Sequence, residues 1–463
     1  MRAGARAGAA RAALALSLLA AGCSLGTVPR AACEADACQQ AFGFGSVCGA
    51  DGFCTRAPQS PRCTHTFPED LLTRPESHRD TIVIGNLMDR SLATHVAREN
   101  AAELAIRSAN DTGGLDGRPF GVVFCTIEEN NAFDSLTRQE AAVASARYLA
   151  EDLGLPAIVG PASSADTQAV FLALSDTGAL VISPSATSPA LAGIDVTSPS
   201  DETPGLLWRT APPDSLQARA IAADLQARGV TRIAVVHATD AYGDGIATEL
   251  VSAFEGTVEL LPFDNDSVLA EQVVSAASMD VEEVLFVSSQ TAQAAAFVNA
   301  TAGLTGFDGK GIFLTDSAAN ADFVAATGGA SARWPQIRGT RPQLPSGRVY
   351  DVFRSRYQTV FADDPEAYSF TAHAHDAAWL VLYGIAWSRA QEGAISGLGI
   401  ARGLRRVSGG AAQDVTPSAF QQIVAAFGRG EGVDVSGASG ALDFDPSTEE
   451  TEGVIELWTV DEL

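Results

Sequence analysis

What most constrains this chain is a rhythm that runs through it twice. From Thr81 onward, the β-branched runs TIVIGNL, FGVVFCT, PAIVGPASS and ALVISPSAT alternate with ARENAAELAIRSANDTGG, QEAAVASARYLAEDL and TQAVFLALSDTG, whose lengths suit helices. Short strands separated by single helices build βαβ units, and these make parallel sheets covered on both faces. After LLWRTAPPDS the alternation restarts, with SLQARAIAADLQARG helical and TRIAVVHAT, TVELLPF, EEVLFVSS and GIFLTDS as strands. A length of 463 residues exceeds what one hydrophobic core usually serves. The expectation is α/β, with two doubly wound units in one chain. The stretch from QLPSGRVYDVF to LYGIAWSRA reads as mainly helical and needs a sheet to pack on. ALDFDPSTEETEGVIELWTV closes the chain with strand character.

The opening MRAGARAGAARAALALSLLAAGC has a cationic start at Arg2, Arg6 and Arg11, then an apolar run, Ala12–Ala20, too short to span a bilayer. Leu19-Ala20-Ala21-Gly22-Cys23 resembles the bacterial lipobox. That resemblance implies a signal peptide over 1–22 and a diacylated Cys23 that holds the protein to the membrane. The other reading is an ordinary signal peptide ending beside a cysteine. Ser24 after the cysteine points to the outer rather than the inner membrane, so the expected location is the cell envelope, facing the periplasm. No later run approaches the roughly 20 apolar residues of a spanning helix. A net charge of −26, with Lys310 the only lysine, excludes a nucleic-acid partner, because a phosphate backbone needs clustered cations.

Export places the remaining cysteines in an oxidising compartment. Cys33, Cys38, Cys48, Cys54, Cys63 and Cys125 make an even set, which fits three disulfides. Four of them lie in CEADACQQAFGFGSVCGADGFC, which has too little apolar surface for a core of its own and reads as a disulfide-stapled knob. Cys63 and Cys125 are then left to pair, tying the knob to the first lobe. Zinc is the rival, but the spacings are not C-x-x-C and the cluster holds no histidine. Residues 23–63 are therefore expected as anchor and Cys-rich module. The proline-rich polar stretch 64–79 is expected as a linker.

In open α/β sheets ligands sit beyond the carboxyl ends of the strands. Two such loops carry hydroxyls, Gly160-Pro161-Ala162-Ser163-Ser164 and Ser183-Pro184-Ser185-Ala186-Thr187-Ser188. Ser163 or Ser164 would cap the next helix and direct backbone N–H groups outward, a place that suits a carboxylate. A turn capped by its own side chains is the alternative. His373-x-His375-Asp376 invites a metal, yet positions i and i+2 of a helix face different ways. DFDPSTEETEG lacks the EF-hand order and reads as a solvated turn. No catalytic motif or nucleophile–base pair stands out, so no enzyme, cofactor or resident metal is expected.

The segments AAELAIRSANDTGGLDGRPF, PAIVGPASSADTQAV, VISPSATSPAL, LWRTAPPDSLQARAIA and ATDAYGDGIA, in this order, resemble the type I periplasmic binding proteins. In particular they resemble the branched-chain amino acid (leucine/isoleucine/valine) receptors of ABC importers, over about residues 80–463. The resemblance implies two Rossmann-like lobes that close on a ligand, joined by crossings near Arg209–Pro213, Arg338–Pro342 and Gly440–Asp445. Lobe one would be 80–208 with 343–440, and lobe two 209–340 with 441–463. It further implies Ser164 on a ligand α-carboxylate, with Ser185 and Thr187 in the same subsite. Tyr242 would close over the ligand, and Asp316 would face its α-ammonium; a helix N-cap is the other reading of Asp316. Where such receptors often carry an aromatic, this chain has Ser288 and Ser289, and Ser289 is taken as a further contact. The early loop MDRSLATHVAR also departs from the family, leaving Thr94 and His95 as either contacts or exposed loop residues. The implied function is capture of a small amino acid or related carboxylate for an ABC permease. The alternative is a sensor or a protein-interaction partner, such as a cell-wall synthase activator, without transport.

Overall fold

The computed structural model describes Cys33 and residues 35–463; the signal peptide expected over 1–22 and the expected lipidation site Cys23 lie outside the described residues. The N-terminal module is a helix, Ala35–Phe42, set against a hairpin of β1 (Ser46–Cys48) and β2 (Cys54–Arg56). Disulfides Cys33–Cys48 and Cys38–Cys54 join helix side to hairpin, and Cys63–Cys125 ties the module to the main body. Three disulfides form as the cysteine count predicts, Cys63–Cys125 among them; the two pairings inside the module, which the sequence left open, come from the structure. Replacing Cys63 and Cys125 together with alanine opens a link of sequence separation 62. The expected cost is about 2–4 kcal/mol, read from urea unfolding of the oxidised protein. A loss below about 1 kcal/mol would mean that packing alone holds the module.

Residues 64–79 are not the linker expected. β3 (His65–Phe67) pairs antiparallel with β5 (Phe120–Thr126), and Leu71 is fully buried. The prolines misled because they sit just outside an edge strand, where a missing N–H costs no ladder bond. β3 closes one edge of a six-stranded sheet ordered β3-β5-β4-β6-β7-β8, where β4 is Ile82–Met88, β6 Ala157–Val159, β7 Leu180–Ser183 and β8 Leu207–Arg209. Every residue of β4 to β8 is buried. That is the pattern of a parallel sheet with helices on both faces.

The second lobe repeats the arrangement with β9 (Arg232–Ala238), β10 (Thr257–Phe263), β11 (Glu283–Val287), β12 (Gly311–Leu314) and β13 (Ile337–Pro342). The chain then returns to the first lobe. The long helix Thr371–Glu392 packs its Trp379, Leu382 and Tyr383 into the same core as Ile82, Ile84 and Phe120. β14 (Ala411–Asp414) and β15 (Val433–Ser436) form a small parallel pair. Finally β16 (Ile455–Thr459) crosses back and pairs antiparallel with β13, giving the order β10-β9-β11-β12-β13-β16. Gly339 of β13 faces Trp458 of β16, and a Cβ there would lie 2.3 Å from the indole, so glycine is what lets the ring lie across the strand.

The chain changes sheet at 210–213, 343–347 and 437–454. Residues 338–342, expected as a crossing, are the strand β13 itself; the passage begins after Pro342. Residues 440–445 still belong with the first lobe, because Phe444 packs edge-on against Trp208 and Leu442 bonds back to Val435.

Candidate functional site

In each sheet the first βαβ strand is flanked by the second on one side and the third on the other. The order therefore reverses between β4 and β6, and again between β9 and β11. Ligands in such sheets sit at these reversal points, beyond the strand carboxyl ends. Here the two crevices face each other across the interlobe contact. Ser188 Oγ donates to the Ala241 carbonyl, and Ser369 Oγ donates to the Ala319 carbonyl at 3.1 Å. Gly245 of the helix Ala241–Ala253 makes the approach possible, since a Cβ there would stand 2.8 Å from Ser188 Oγ.

On the first lobe, Ser163 caps the helix Ser164–Ala173 by accepting from Asp166 N–H. Arg138 braces this turn, bridging Asp89 at 2.7 Å and Asp166 at 2.8 Å. Ser164 Oγ accepts the N–H groups of Thr187 at 3.2 Å and Ser188 at 3.1 Å. Both of its lone pairs are thus occupied, and the hydroxyl hydrogen is what it has to offer an anion. Ser185 Oγ donates to the Ala162 carbonyl at 2.9 Å and accepts from Arg98 Nη1 at 3.1 Å. Its hydroxyl therefore holds a guanidinium in place. The Thr187 hydroxyl is buried beside the Asp214 carboxyl, and the Thr187 carbonyl accepts the Asp214 N–H at 2.8 Å.

On the second lobe, Tyr242 donates to Asp316 Oδ1 at 2.5 Å and Gln217 Nε2 donates to the same oxygen at 2.9 Å. Asp316 opens a single 3-10 turn, Asp316–Ala318, at the carboxyl end of β12. It makes no side-chain cap bond there, since the preceding Thr315 occupies the cap position. Burial pushes its carboxyl up from the ordinary range, opposed by the Tyr242 hydrogen bond and by the field of Arg98. Asp214, wholly buried, is pushed up much further by burial and by the charge of Asp316. Ser289 lies half-buried after β11, and no hydrogen bond joins it to the others.

Five of the six expected contacts thus form two facing groups: Ser164, Ser185 and Thr187 on one wall, Tyr242 and Asp316 on the other. Sequence reasoning missed Arg98, Asp214 and Gln217. Arg98 donates to the Ser369 carbonyl at 3.2 Å as well as to Ser185, and its guanidinium lies 5.3 Å from the Phe370 ring centre. Burial pushes it down to about 10, offset by Asp316, yet the two charges do not meet as an ion pair. A signal existed in the sequence. Arg98 lies on the helical stripe with Ala101, Ala102, Ala105 and Ala109, where a cation inside an apolar face calls for a reason.

The departing loop has a structural use. His95 Nδ1 accepts the Asp89 N–H at 3.1 Å, so His95 faces the protein. His375 accepts from Trp379 Nε1 at 3.1 Å, and Asp376 accepts from Ala438 N–H, Ser439 N–H and Ser439 Oγ. Asp376 of this cluster therefore clamps the 437–440 turn to its helix, while His375 is held by Trp379. Glu449 and Glu450, in the stretch read as a solvated turn, are instead spent on Arg405 and on buried Arg209. A cavity of about 50 Å³ flanks the cleft, lined by Ala319, Ser369, Phe370 and His373 among others. A roomier one of about 330 Å³ lies away from it, beside Trp208 and Phe444. There Arg405 is paired with Asp201 and Glu449 and also donates to the Pro446 carbonyl.

Next to Arg98, Glu99 is buried with one oxygen unpartnered and the other 3.3 Å from Arg90. Burial, with help from Glu103 and Asp89, pushes its carboxyl up to about 8. Because the folded value lies above the unfolded one, the folded state binds the extra proton in between. Stability from this group is then full below about 4.5 and lost as pH rises through about 8. Glu99→Gln is expected to remove a decline of roughly 4 kcal/mol between pH 5 and 8.5, measured by urea unfolding. Parallel pH profiles for both proteins would show Glu99 ionised throughout.

The comparisons with known proteins agree with this geometry. The family described as receptor family ligand binding region matches residues 97–462. The chain is 26% identical over 366 residues to the chemotactic signal transduction system substrate-binding protein BasB of Halobacterium salinarum, covering 77% of this chain and 80% of that protein. It is 32% identical over 155 residues to the leucine-, isoleucine-, valine-, threonine-, and alanine-binding protein of Pseudomonas aeruginosa, 33% of this chain and 37% of that one. Among solved structures, the branched-chain amino acid transporter substrate binding protein LivJ of Streptococcus pneumoniae, in complex with isoleucine, matches with a TM-score of 0.61 at 21% identity, over 82% of this chain and 96% of that one. A periplasmic binding protein type 1 from Bordetella pertussis gives 0.63 at 16%, over 82% and 96%. The chain belongs to the receptor family ligand binding region family and carries the type I periplasmic binding protein fold.

Proposed function

We propose that this protein is a lipid-anchored extracytoplasmic receptor that captures a small amino acid, or a related carboxylate, and delivers it to an ABC permease. The observation that carries the reading is a buried pair of opposite charges on facing lobes, Arg98 and Asp316, each held by its own neighbours and not neutralised by the other. A zwitterion satisfies both. Its carboxylate takes the Arg98 fork with the Ser164 and Thr187 hydroxyls, and its ammonium takes Asp316, with Asp214 behind it. Ser185 positions Arg98; Tyr242 and Gln217 position Asp316. Anchoring through Cys23, with the outer membrane favoured, belongs to the same reading and rests on the lipobox-like leader.

Lobe closure follows from ligand affinity that is higher when both walls are engaged. The test is thermal unfolding of the full chain against a panel of amino acids and small carboxylates. A ligand at about a hundred times its dissociation constant adds ~2.7 kcal/mol and raises the midpoint by several degrees. A flat response across the panel would overturn the amino-acid reading and bring a protein-partner role forward.

A further inference from the structure

The chain has 56 acidic and 30 basic residues, so most arginines find a carboxylate. Among the described residues, only Arg56, Arg79, Arg98, Arg118 and Arg219 form no ion pair within 4.0 Å. Arg98 belongs to the cleft. Arg79 and Arg118 line one pocket of about 170 Å³ between the disulfide module and the first lobe. Arg389 joins them, its only carboxylate neighbour being Asp116, at 4.0 Å.

Backbone carbonyls hold all three guanidiniums. Arg79 donates from Nε to the Glu76 carbonyl at 3.2 Å, and from Nη1 to the Gln40 carbonyl at 2.9 Å and to that of Ala41. Arg118 Nε donates to the Asp80 carbonyl at 2.9 Å, and Arg389 Nη1 to the Gly393 carbonyl at 2.6 Å. Gln39 locks the module to this edge through the Thr81 carbonyl at 3.1 Å. A carbonyl orients a guanidinium without cancelling its charge. Among the described residues, the Nη2 groups of all three and Nη1 of Arg118 have no hydrogen-bond partner. Oriented guanidinium edges around one concavity, those of Arg79 and Arg118 without an ion pair and that of Arg389 4.0 Å from Asp116, match a tetrahedral oxyanion, which accepts paired N–H donors.

We propose that this pocket binds a phosphate group, either that of an anionic lipid headgroup or free phosphate. The headgroup source rests on the lipid-anchor reading: the nine residues between Cys23 and Cys33 reach at most about 30 Å, which keeps the pocket near the bilayer surface. The oxyanion chemistry itself does not depend on the anchor.

The test uses the full chain with Cys23→Ser, so that no lipid holds it. One arm measures the thermal midpoint with inorganic phosphate. The other measures cosedimentation with vesicles of phosphatidylglycerol and phosphatidylcholine against phosphatidylcholine alone. The variant is Arg79→Gln/Arg118→Gln/Arg389→Gln, and the charge-matched control is Arg147→Gln/Arg219→Gln/Arg429→Gln. Phosphate is expected to raise the midpoint, and anionic vesicles to carry down at least about tenfold more protein than neutral ones. The pocket variant loses both effects and the control keeps them. Protection by phosphate without vesicle binding assigns the site to free phosphate. Equal behaviour of the two variants in both arms overturns the proposal. Amino-acid binding in the cleft is read on the same variants and stays unchanged, so failure here is separable from failure of the receptor reading.

Discussion

Asp316→Asn is expected to weaken binding of an α-amino acid by two to three orders of magnitude while leaving the unliganded protein at least as stable. The asparagine carbonyl still accepts from Tyr242 and Gln217, which both donate to Oδ1, so the local frame survives. What disappears is the charge. A buried ammonium left without its counter-ion costs about 3–4 kcal/mol, which is that loss of affinity. The unliganded protein gains, because Asp214 beside it no longer feels a like charge in the same dry pocket. Calorimetric titration with an amino acid and with its deaminated carboxylate separates the terms. Only the amino acid should suffer the full loss. If both ligands weakened equally, Asp316 would be acting through Tyr242 and not on an ammonium.

Arg209→Met is expected to destabilise the fold by about 3–5 kcal/mol, the largest stability effect foreseen for one side chain here. Arg209 is 2% exposed. It pairs with Glu450 through Nε and Nη2, and Nη1 donates to the Ser188 carbonyl at 2.7 Å. It therefore binds the last crossing segment to the loop that carries Thr187. Methionine fills much of the volume but leaves the Glu450 charge and the Ser188 carbonyl without their donor. Urea unfolding of Arg209→Met, Glu450→Gln and the double variant gives the coupling directly. The double variant should recover part of the loss, since the stranded carboxylate is gone. Ligand affinity should fall as well, because the Thr187 loop loses its tether. A loss under about 1 kcal/mol would show that Glu450 is well hydrated in solution.

Much of the architecture was legible before any coordinates. Hydrophobic period and helix punctuation are local properties, so the alternation of strands and helices, its restart, and two doubly wound units could be read from residues near one another in the chain. That the six cysteines form three disulfides, one of them Cys63–Cys125, was also legible, because four of them share a segment that has no other means of holding itself together; which of those four join was not. The hydroxyl loops after β6 and β7 could be located for the same reason: a strand that ends in SPSAT must turn there.

Roles within those loops were decided elsewhere. Ser164 faces Thr187 and Ser188, and Ser185 faces Arg98, only because β6 and β7 lie side by side and the helix Ala93–Asp111 passes above them. Gln217 reads locally as an ordinary helix residue and Asp214 as a first-turn acid. Each becomes part of the cleft because the chain crosses between lobes just before them, at 210–213. The stretch 64–79 looked like tether because its prolines are local facts, whereas its pairing with β5 is made with residues more than 50 positions away. By itself the sequence determined which segments are strands and helices, that the six cysteines are oxidised in pairs, and which loops end at the sheet edges. Only the tertiary structure decided which charges face each other. Side-chain direction at a strand end depends on register and on the neighbouring strand, and both come from contacts far apart in the chain.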